Sequence, residues 1–359
     1  MVARRPRAAL SPLALLCFAV VLLCAPRVCS GRRGHKRQAV ALHYSSPRNG
    51  AANCTAALVA HLQTACEDAD GRVHIAFTGE FGSELIWALP AAYAAWQRGA
   101  LGSTRGCGAV APFYWFSPNH VDDVTCKKSW RKGKGFSDLH ARAHSADTPP
   151  RETWWPPPLR AHYRRLGLPA LPAGARLDPT RPLVVLHNKY SKEWNKPPVN
   201  FFSLPLLADI LAILAANDLQ SLYIRHGHSS GFEEAGSNMR PFGDYDFLRA
   251  AAANGSAPGL LLLDDVAAAN PEMPLNEVQL RMLAAGDHGV SVQGGPSLLL
   301  AQFFQGGDLV VLHRRGHEAK SGEYGRLFER FDGARITVAR TEDALRDTIA
   351  RLAPQWAVE

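Results

Sequence analysis

The chain has 359 residues, with 40 Lys and Arg against 32 Asp and Glu, a formal excess of +8. Eight of those bases and none of the acids lie in residues 1–37, which leaves 32 of each over 38–359 and a body without net charge. That balance argues against a nucleic-acid partner held by phosphate neutralisation, and 47% hydrophobic with 20% charged residues excludes a disordered or fibrous chain.

Arg4, Arg5 and Arg7 precede an apolar run from Ala8 to about Ala25, broken only by Ser11 and Pro12. A charged tip followed by such a run reads as a secretory signal over residues 1–30, with small residues around Val28-Cys29-Ser30 for cleavage. The same run is long enough to stay as a type II membrane anchor, and arginines on both sides leave the two readings open. Either way the body is expected in the lumen of the ER or Golgi, or secreted. Asn53-Cys54-Thr55 and Asn254-Gly255-Ser256 are N-glycosylation sequons that suit this compartment. Outside the leader stand Cys54, Cys66, Cys107 and Cys126, for which the close pairs Cys54–Cys66 and Cys107–Cys126 are the preferred bridges; four buried thiols are the alternative. No CxxC or HExxH occurs, so neither a structural zinc site nor a zinc protease is expected.

Residues 31–70 read as a stem with a short helix near Ala56–Cys66. From 71 to 180 an N-terminal α/β domain is expected, with a strand at Val73–Phe77, a helix over Ser83–Gln97 and a strand at Phe113–Phe116. Its second part, rich in Pro, Trp and Arg, has no sustained period and reads as irregular loops. Residues 181–359 read as a Rossmann-like domain. Strands are predicted at Leu183–Leu186, Leu222–Arg225, Leu260–Leu263, Val290–Val292, Leu309–Leu312 and Ile336–Ala339. Helices are predicted at Leu204–Ala216, Leu275–Ala285, Pro296–Phe304 and Glu342–Leu352. Strands alternating with helices predict doubly wound parallel sheets, α/β in class.

In such sheets ligands bind at the carboxyl ends of the strands, and four loops there carry unusual residues. Thr78-Gly79-Glu80-Phe81-Gly82-Ser83-Glu84 combines Gly79 and Gly82, which permit a tight turn and expose helix N–H groups, with Glu80 and Glu84 as candidate bases. His187-Asn188-Lys189, leading to Glu193 and Trp194, brings a cation toward a phosphate and an indole toward a base or sugar. Arg225 stands at a strand end, where its fork can hold a diphosphate. Gln293-Gly294-Gly295-Pro296-Ser297 opens an apolar helix with Pro in its first turn, an anion-binding helix start; Glu277 in the preceding helix is expected to face the same crevice. Turn chemistry, helix-dipole charges and solvated loops account for the same residues without a ligand.

The pairing of the Gly-x-Phe-Gly-x-Glu loop near the start with the Gly-Gly-Pro-Ser loop near the end resembles a GT-B-type glycosyltransferase. The basic loop His187–Lys189 adds a fucosyltransferase-like layout, although Asn188-Lys189 replaces the Arg-Arg pair of the O-fucosyltransferase pattern. The resemblance covers roughly 72–100 and 183–315. It implies two Rossmann-like domains facing a cleft, a nucleotide-sugar donor on the later one, and no need of a metal.

On this reading His187, Asn188, Lys189, Arg225, Gln293, Gly294, Gly295, Ser297 and Glu277 meet the donor. Gly79, Gly82, Trp194 and Asn119 meet sugar or acceptor, and Glu80, Glu84 or His120 is the base. His120 is assigned there because Asn119-His120 would follow the Phe113–Phe116 strand into the cleft. No cofactor is expected; Asp244-Tyr-Asp246 is the tripeptide that would bring Mn2+ or Mg2+ if one were used. The expected function is a metal-independent secretory-pathway glycosyltransferase acting on a glycan or glycoprotein acceptor. A non-catalytic glycan-binding protein of the same fold is the alternative.

Overall fold

The structure, a computed structural model, describes residues 64–79, 81–123, 156–192, 197–225, 241–304, 306–315 and 333–358, with the backbone alone at 64–66. Two sheets organise them. The first has the order β1 (Thr64–Glu67), β2 (Val73–Ala76), β3 (Leu101–Cys107), β4 (His120–Asp123). β2, β3 and β4 are parallel, whereas β1 runs antiparallel to β2. The helix expected near Ala56–Cys66 is therefore a strand in its described part, and the sheet begins before residue 71.

Between β2 and β3 the chain forms one continuous helical run. It opens as α1 (Phe81–Ser83), widens into a π turn over Glu84–Ala88 and continues as α2 (Leu89–Gln97). Pro90 accompanies the widening. It has no N–H for the Ile86 carbonyl and its ring crowds that oxygen, and the preceding Leu89 N–H reaches Glu84 O, one residue beyond its α-helical partner. The side-chain amide of Gln302 donates to Leu85 O within the same turn, at 3.3 Å.

The strand expected at Phe113–Phe116 is a 3-10 turn, Ala111–Tyr114. Pro112 has no N–H for a ladder, and the Asp122 carboxylate accepts from Val110 N and Ala111 N at 2.9 and 3.0 Å, capping the turn. Phe113, Tyr114 and Phe116 enter the core from it. The true strand is Leu101-Gly-Ser-Thr-Arg-Gly-Cys, which has too few apolar residues to show an alternation. Gly106 has to be small, because a Cβ there would stand 2.1 Å from Val110 Cγ2.

The second sheet is wholly parallel, in the order β10-β9-β8-β5-β6-β7. Its strands are β5 (Leu183–Asn188), β6 (Gln220–Arg225), β7 (Leu260–Leu262), β8 (His288–Val292), β9 (Asp308–Leu312) and β10 (Arg335–Ala339). Read from β7, the order 3-2-1-4-5-6 is that of a doubly wound Rossmann sheet, so the expected α/β class holds, with the antiparallel β1 as its exception. Alternate residues of β5 serve opposite faces. Leu183 and Val185 join a core with α6 (Leu263–Ala268), α7 (Leu275–Ala285) and α8 (Gly295–Phe303), while Val184 and Leu186 join one with α4 (Leu204–Ala216), α5 (Asp244–Ala253) and α9 (Glu342–Trp356). The first of these cores also contains Val73, Ile75, Leu85 and Leu89, so it is continuous between the two sheets. α3 (Leu159–Leu166) adds Leu159 and Tyr163 to it.

At the amino edge Asp308 ties α9 down. Its carboxylate takes Arg335 Nε and Nη2 at 2.9 and 3.1 Å and Trp356 Nε1 at 2.7 Å. Burial pushes this carboxyl up, but the hydrogen bonds from Arg335 and Trp356 outweigh it and hold the group below its ordinary value. A depressed carboxyl stabilises the fold above its unfolded pKa and loses that effect as pH falls through the folded one. The Tm advantage of wild type over Asp308→Asn is therefore expected to be full at about pH 6 and to shrink toward about pH 3, a range set by the Asp reference value. A difference independent of pH in thermal melts would contradict this account.

Candidate functional site

Strand order reverses between β5 and β8, and at such a switch point the two outgoing loops diverge and leave a crevice. Lys189 follows β5 there, and Gln293 and Gly294 follow β8. Lys189 Nζ donates to Gln293 Oε1 at 3.4 Å across the switch point, and Asn200 Nδ2 donates to the same oxygen at 3.3 Å. Gly294 has φ 121°, and a Cβ on it would lie 2.9 Å from Lys189 Nζ, so the ammonium sits directly against the start of α8. Pro296 in the first turn has no N–H, while Gly295 and Ser297 carry two of the donors that a helix start leaves without an intrahelical partner. The Ser297 hydroxyl turns back onto Gly294 O at 2.9 Å and rigidifies the turn.

The first sheet brings its own helix start to this place. A Cβ on Gly82 would lie 3.7 Å from Gly295 Cα, and one on Gly295 would lie 3.7 Å from Gly82 N. Phe81 closes over the contact, 3.3 Å from the same point on Gly295. Three segments far apart in sequence thus meet: 81–84, 187–189 and 293–297. Gly79 is buried at the turn into α1. Glu80 and Trp194 lie outside the described residues.

Glu84 and His120 are also brought near each other, against Gly106, where a Cβ would be 3.4 Å from both Glu84 Oε1 and His120 Cε1. Both are engaged. Glu84, 2% exposed, accepts from the Tyr114 hydroxyl at 3.2 Å, and burial followed by the Glu84 charge pushes that hydroxyl well above its ordinary pKa. His120 does not leave a strand toward a cleft; it opens β4. Its ring stacks on Tyr114 at 4.7 Å and bridges the Thr104 hydroxyl (2.8 Å) and Asp122 (3.1 Å). Asn119 Nδ2 donates to Gly102 O at 3.2 Å, a turn contact.

Other expected donor residues hold the fold. His187 is buried within β5. Asn188 accepts from Phe202 N and Lys189 N at 2.9 Å each and donates to Tyr223 Oη at 3.0 Å, so its amide fixes the backbone that presents Lys189. Arg225 Nη1 bonds Asp244 Oδ1 at 2.6 Å, with side chains 8% and 1% exposed, and the Tyr223 hydroxyl donates to the other oxygen of Asp244. Asp244 is thus the counter-ion of Arg225, and Asp246 is exposed. Among the described residues no three His, Cys, Asp or Glu are grouped to hold a metal. Glu277 pairs with Arg281 one turn along α7, and Arg281 reaches Leu166 O at the end of α3, so Glu277 serves that helix packing and not the crevice.

Residues that sequence reasoning left unassigned also line the carboxyl edge. Asn200, His313, Arg314, Arg315 and Arg340 stand there, the last four directly after β9 and β10, a position the two strand assignments already made readable. His313 is buried, and desolvation, then the charges of Arg340 and Lys189, push its imidazole down to about 4. On the β6 side Tyr190 stacks on Phe242 at 4.4 Å, with Phe201 edge-on at 4.8 Å to Tyr190. Cys107 is disulfide-bonded; Cys54, Cys126, the Cys66 side chain and Asn53 lie outside the described residues. Asn254 is exposed at the end of α5, where its side chain accepts from Ser256 N at 2.9 Å. Among the described residues no helix is long and apolar enough to cross a membrane, and the leader lies outside them.

No protein-family model matches the chain, and no curated protein matches it. Solved structures similar in part include MT0777, 13% identical with a TM-score of 0.28, matched over 48% of this chain and 96% of that one. They also include the E. coli heptosyltransferase WaaC with ADP-2-deoxy-2-fluoro heptose, 14% identical with a TM-score of 0.33, over 75% of each chain. Likeness of that degree leaves the function to be argued from the site.

Because Arg225 neutralises a buried carboxylate, Arg225→Met is expected to cost about 3–5 kcal/mol of stability, the range for breaking a buried pair. Urea denaturation measures it; a loss below about 1 kcal/mol, the surface-pair range, would return Arg225 to the list of ligand contacts.

Proposed function

We propose that the protein is a secretory-pathway glycosyltransferase that moves a sugar from a nucleotide-sugar donor to a glycan or glycoprotein acceptor. The observation that carries this reading is Lys189, seated across the switch point on the N-terminus of α8, where Gly295 meets the helix start that Gly82 brings from the first sheet. A lysine, a helix dipole and backbone N–H groups converging on one place suit a diphosphate. They act most strongly when the acceptor oxygen attacks the anomeric carbon, the carbon–oxygen bond to the diphosphate breaks, and its electron pair leaves with the nucleoside diphosphate. Tyr190, Phe201 and Phe242 offer flat apolar surface for the nucleobase at the β6 side of the same edge. The acceptor proton needs a base, and Glu84 on the helical run after Gly82 is the described carboxylate assigned to it.

One observation favours the alternative, a glycan-binding protein without turnover: Glu84 and His120 are both engaged by internal partners. A nucleotide-sugar panel assayed with the full chain separates the two. Transfer or donor hydrolysis is expected, and Lys189→Ala is expected to lower kcat/KM by about 100-fold or more, the scale for losing a charge-stabilising donor. Turnover unchanged in Lys189→Ala would remove the diphosphate assignment. Glycan binding without any nucleotide affinity in calorimetry would establish the alternative.

A further inference from the structure

Among the described residues the carboxyl edge of the second sheet carries five cations, Lys189, Arg225, Arg314, Arg315 and Arg340, with the acids Asp244, Asp264, Asp265 and Glu342 along the same edge. Asp264 accepts from the Tyr245 hydroxyl at 2.8 Å and Asp265 pairs with Arg249 at 2.9 Å. Asp244 neutralises Arg225. Glu342 binds Arg314 Nη1 at 3.0 Å and the Ser203 hydroxyl at 2.8 Å, and Asp343 binds Arg346 at 2.8 Å. Arg315 and Arg340 are exposed, and among the described residues neither guanidinium meets a carboxylate.

Their backbones are nevertheless fixed. Buried Asn200 accepts from Arg314 N and Arg315 N at 2.8 and 3.4 Å and donates to Arg315 O at 3.0 Å. Arg340 lies beside this loop, with Nη1 donating to His313 O at 3.3 Å and the Ala339 carbonyl accepting from His313 N at 2.9 Å. Asn200 also donates to Gln293, which takes Lys189, so the arginine loop and the lysine are the two ends of one hydrogen-bonded chain. Between β5, which leads to Lys189, and β10, which leads to Arg340, lie three strand spacings, about 14 Å. A diphosphate spans well under half of that distance. Phe242, stacked on Tyr190, lies by Arg225 at the end of β6, while the arginines follow β9 and β10, so a donor with its base on that stack has the arginines on its sugar side.

We propose that Arg315 and Arg340 form a second anion subsite that takes an acidic group of the acceptor, a saccharide bearing a carboxylate, sulfate or phosphate. Guanidinium forks match each of these groups in a bidentate manner. The proposal rests on the donor reading for the place of the acceptor, but it is tested independently of it.

The test is calorimetry at low ionic strength on the full chain, with inorganic pyrophosphate as one probe. Glucuronic acid, glucose 6-sulfate, glucose 6-phosphate and neutral glucose are the others. At least one acidic sugar is expected to bind the pyrophosphate-saturated protein about tenfold or more tightly than glucose, roughly 1.4 kcal/mol. The double variant Arg315→Gln, Arg340→Gln is expected to abolish that preference while leaving pyrophosphate affinity within about twofold, and Lys189→Ala to do the reverse. Displacement of the acidic sugar by pyrophosphate, equal binding of glucose, or an unaffected double variant would each overturn the subsite. So would parallel loss of both probes in the double variant, which would assign the arginines to the donor. Arginine-dependent binding of an acidic sugar without any pyrophosphate affinity would sustain the subsite and reject the donor reading.

Discussion

The site depends on two helix starts packing closely at glycines. Gly82 in the first turn of the helical run of the first sheet and Gly295 at the start of α8 face each other so closely that a Cβ on either would already touch the other's backbone, at 3.7 Å. A side chain larger than a methyl would have to push the two helix starts apart, and at Gly294, with φ 121° and Lys189 Nζ 2.9 Å from a Cβ, any side chain would displace the ammonium. The contact is held from below by a continuous core. Leu85 and Leu89 from the first lobe share it with Leu298, Leu299 and Phe303 of α8, and Gln302 fastens the π turn to the same helix. Apolar burial thus supplies the force that brings two positive helix ends together, an arrangement their dipoles alone disfavour.

The polar groups around that contact divide into those that hold and those that present. Asn188 and Asn200 are buried, with both ends of their amides engaged, and each fixes a loop that carries a cation. Arg225 has a cation's chemistry but a structural place, since it pairs with Asp244, which Tyr223 holds through the other carboxylate oxygen. Arg315 and Arg340 differ in being exposed at the crevice edge, and Lys189 is half-buried there against the start of α8. His313 beneath them is kept neutral by burial and by its cationic neighbours, so the edge is not further charged near neutral pH.

Much of the second lobe was legible in the sequence. Leu204–Ala216 and Leu275–Ala285 have the helical spacing and stop signals of the helices they form, and each apolar run taken for a strand is one. Continuous apolar strands are what a sheet covered on both faces requires, and they are hard to mistake. The first lobe was less legible. β3 is polar and glycine-bearing because His74 and Val110 crowd its two glycines, while Phe113–Phe116 looked like a strand because aromatic residues fill cores from turns as well as from ladders.

By itself, then, the sequence determined which loops stand at strand ends and carry glycines or cations, since strand, helix and turn are set by local periodicity and backbone freedom. Only the tertiary structure decided which of those groups are engaged. Lys189 and Arg225 are both bases at or just past strand ends, yet one is seated on a helix start and the other is closed in by a buried carboxylate from residue 244. That difference comes from long-range packing, which no window along the chain contains.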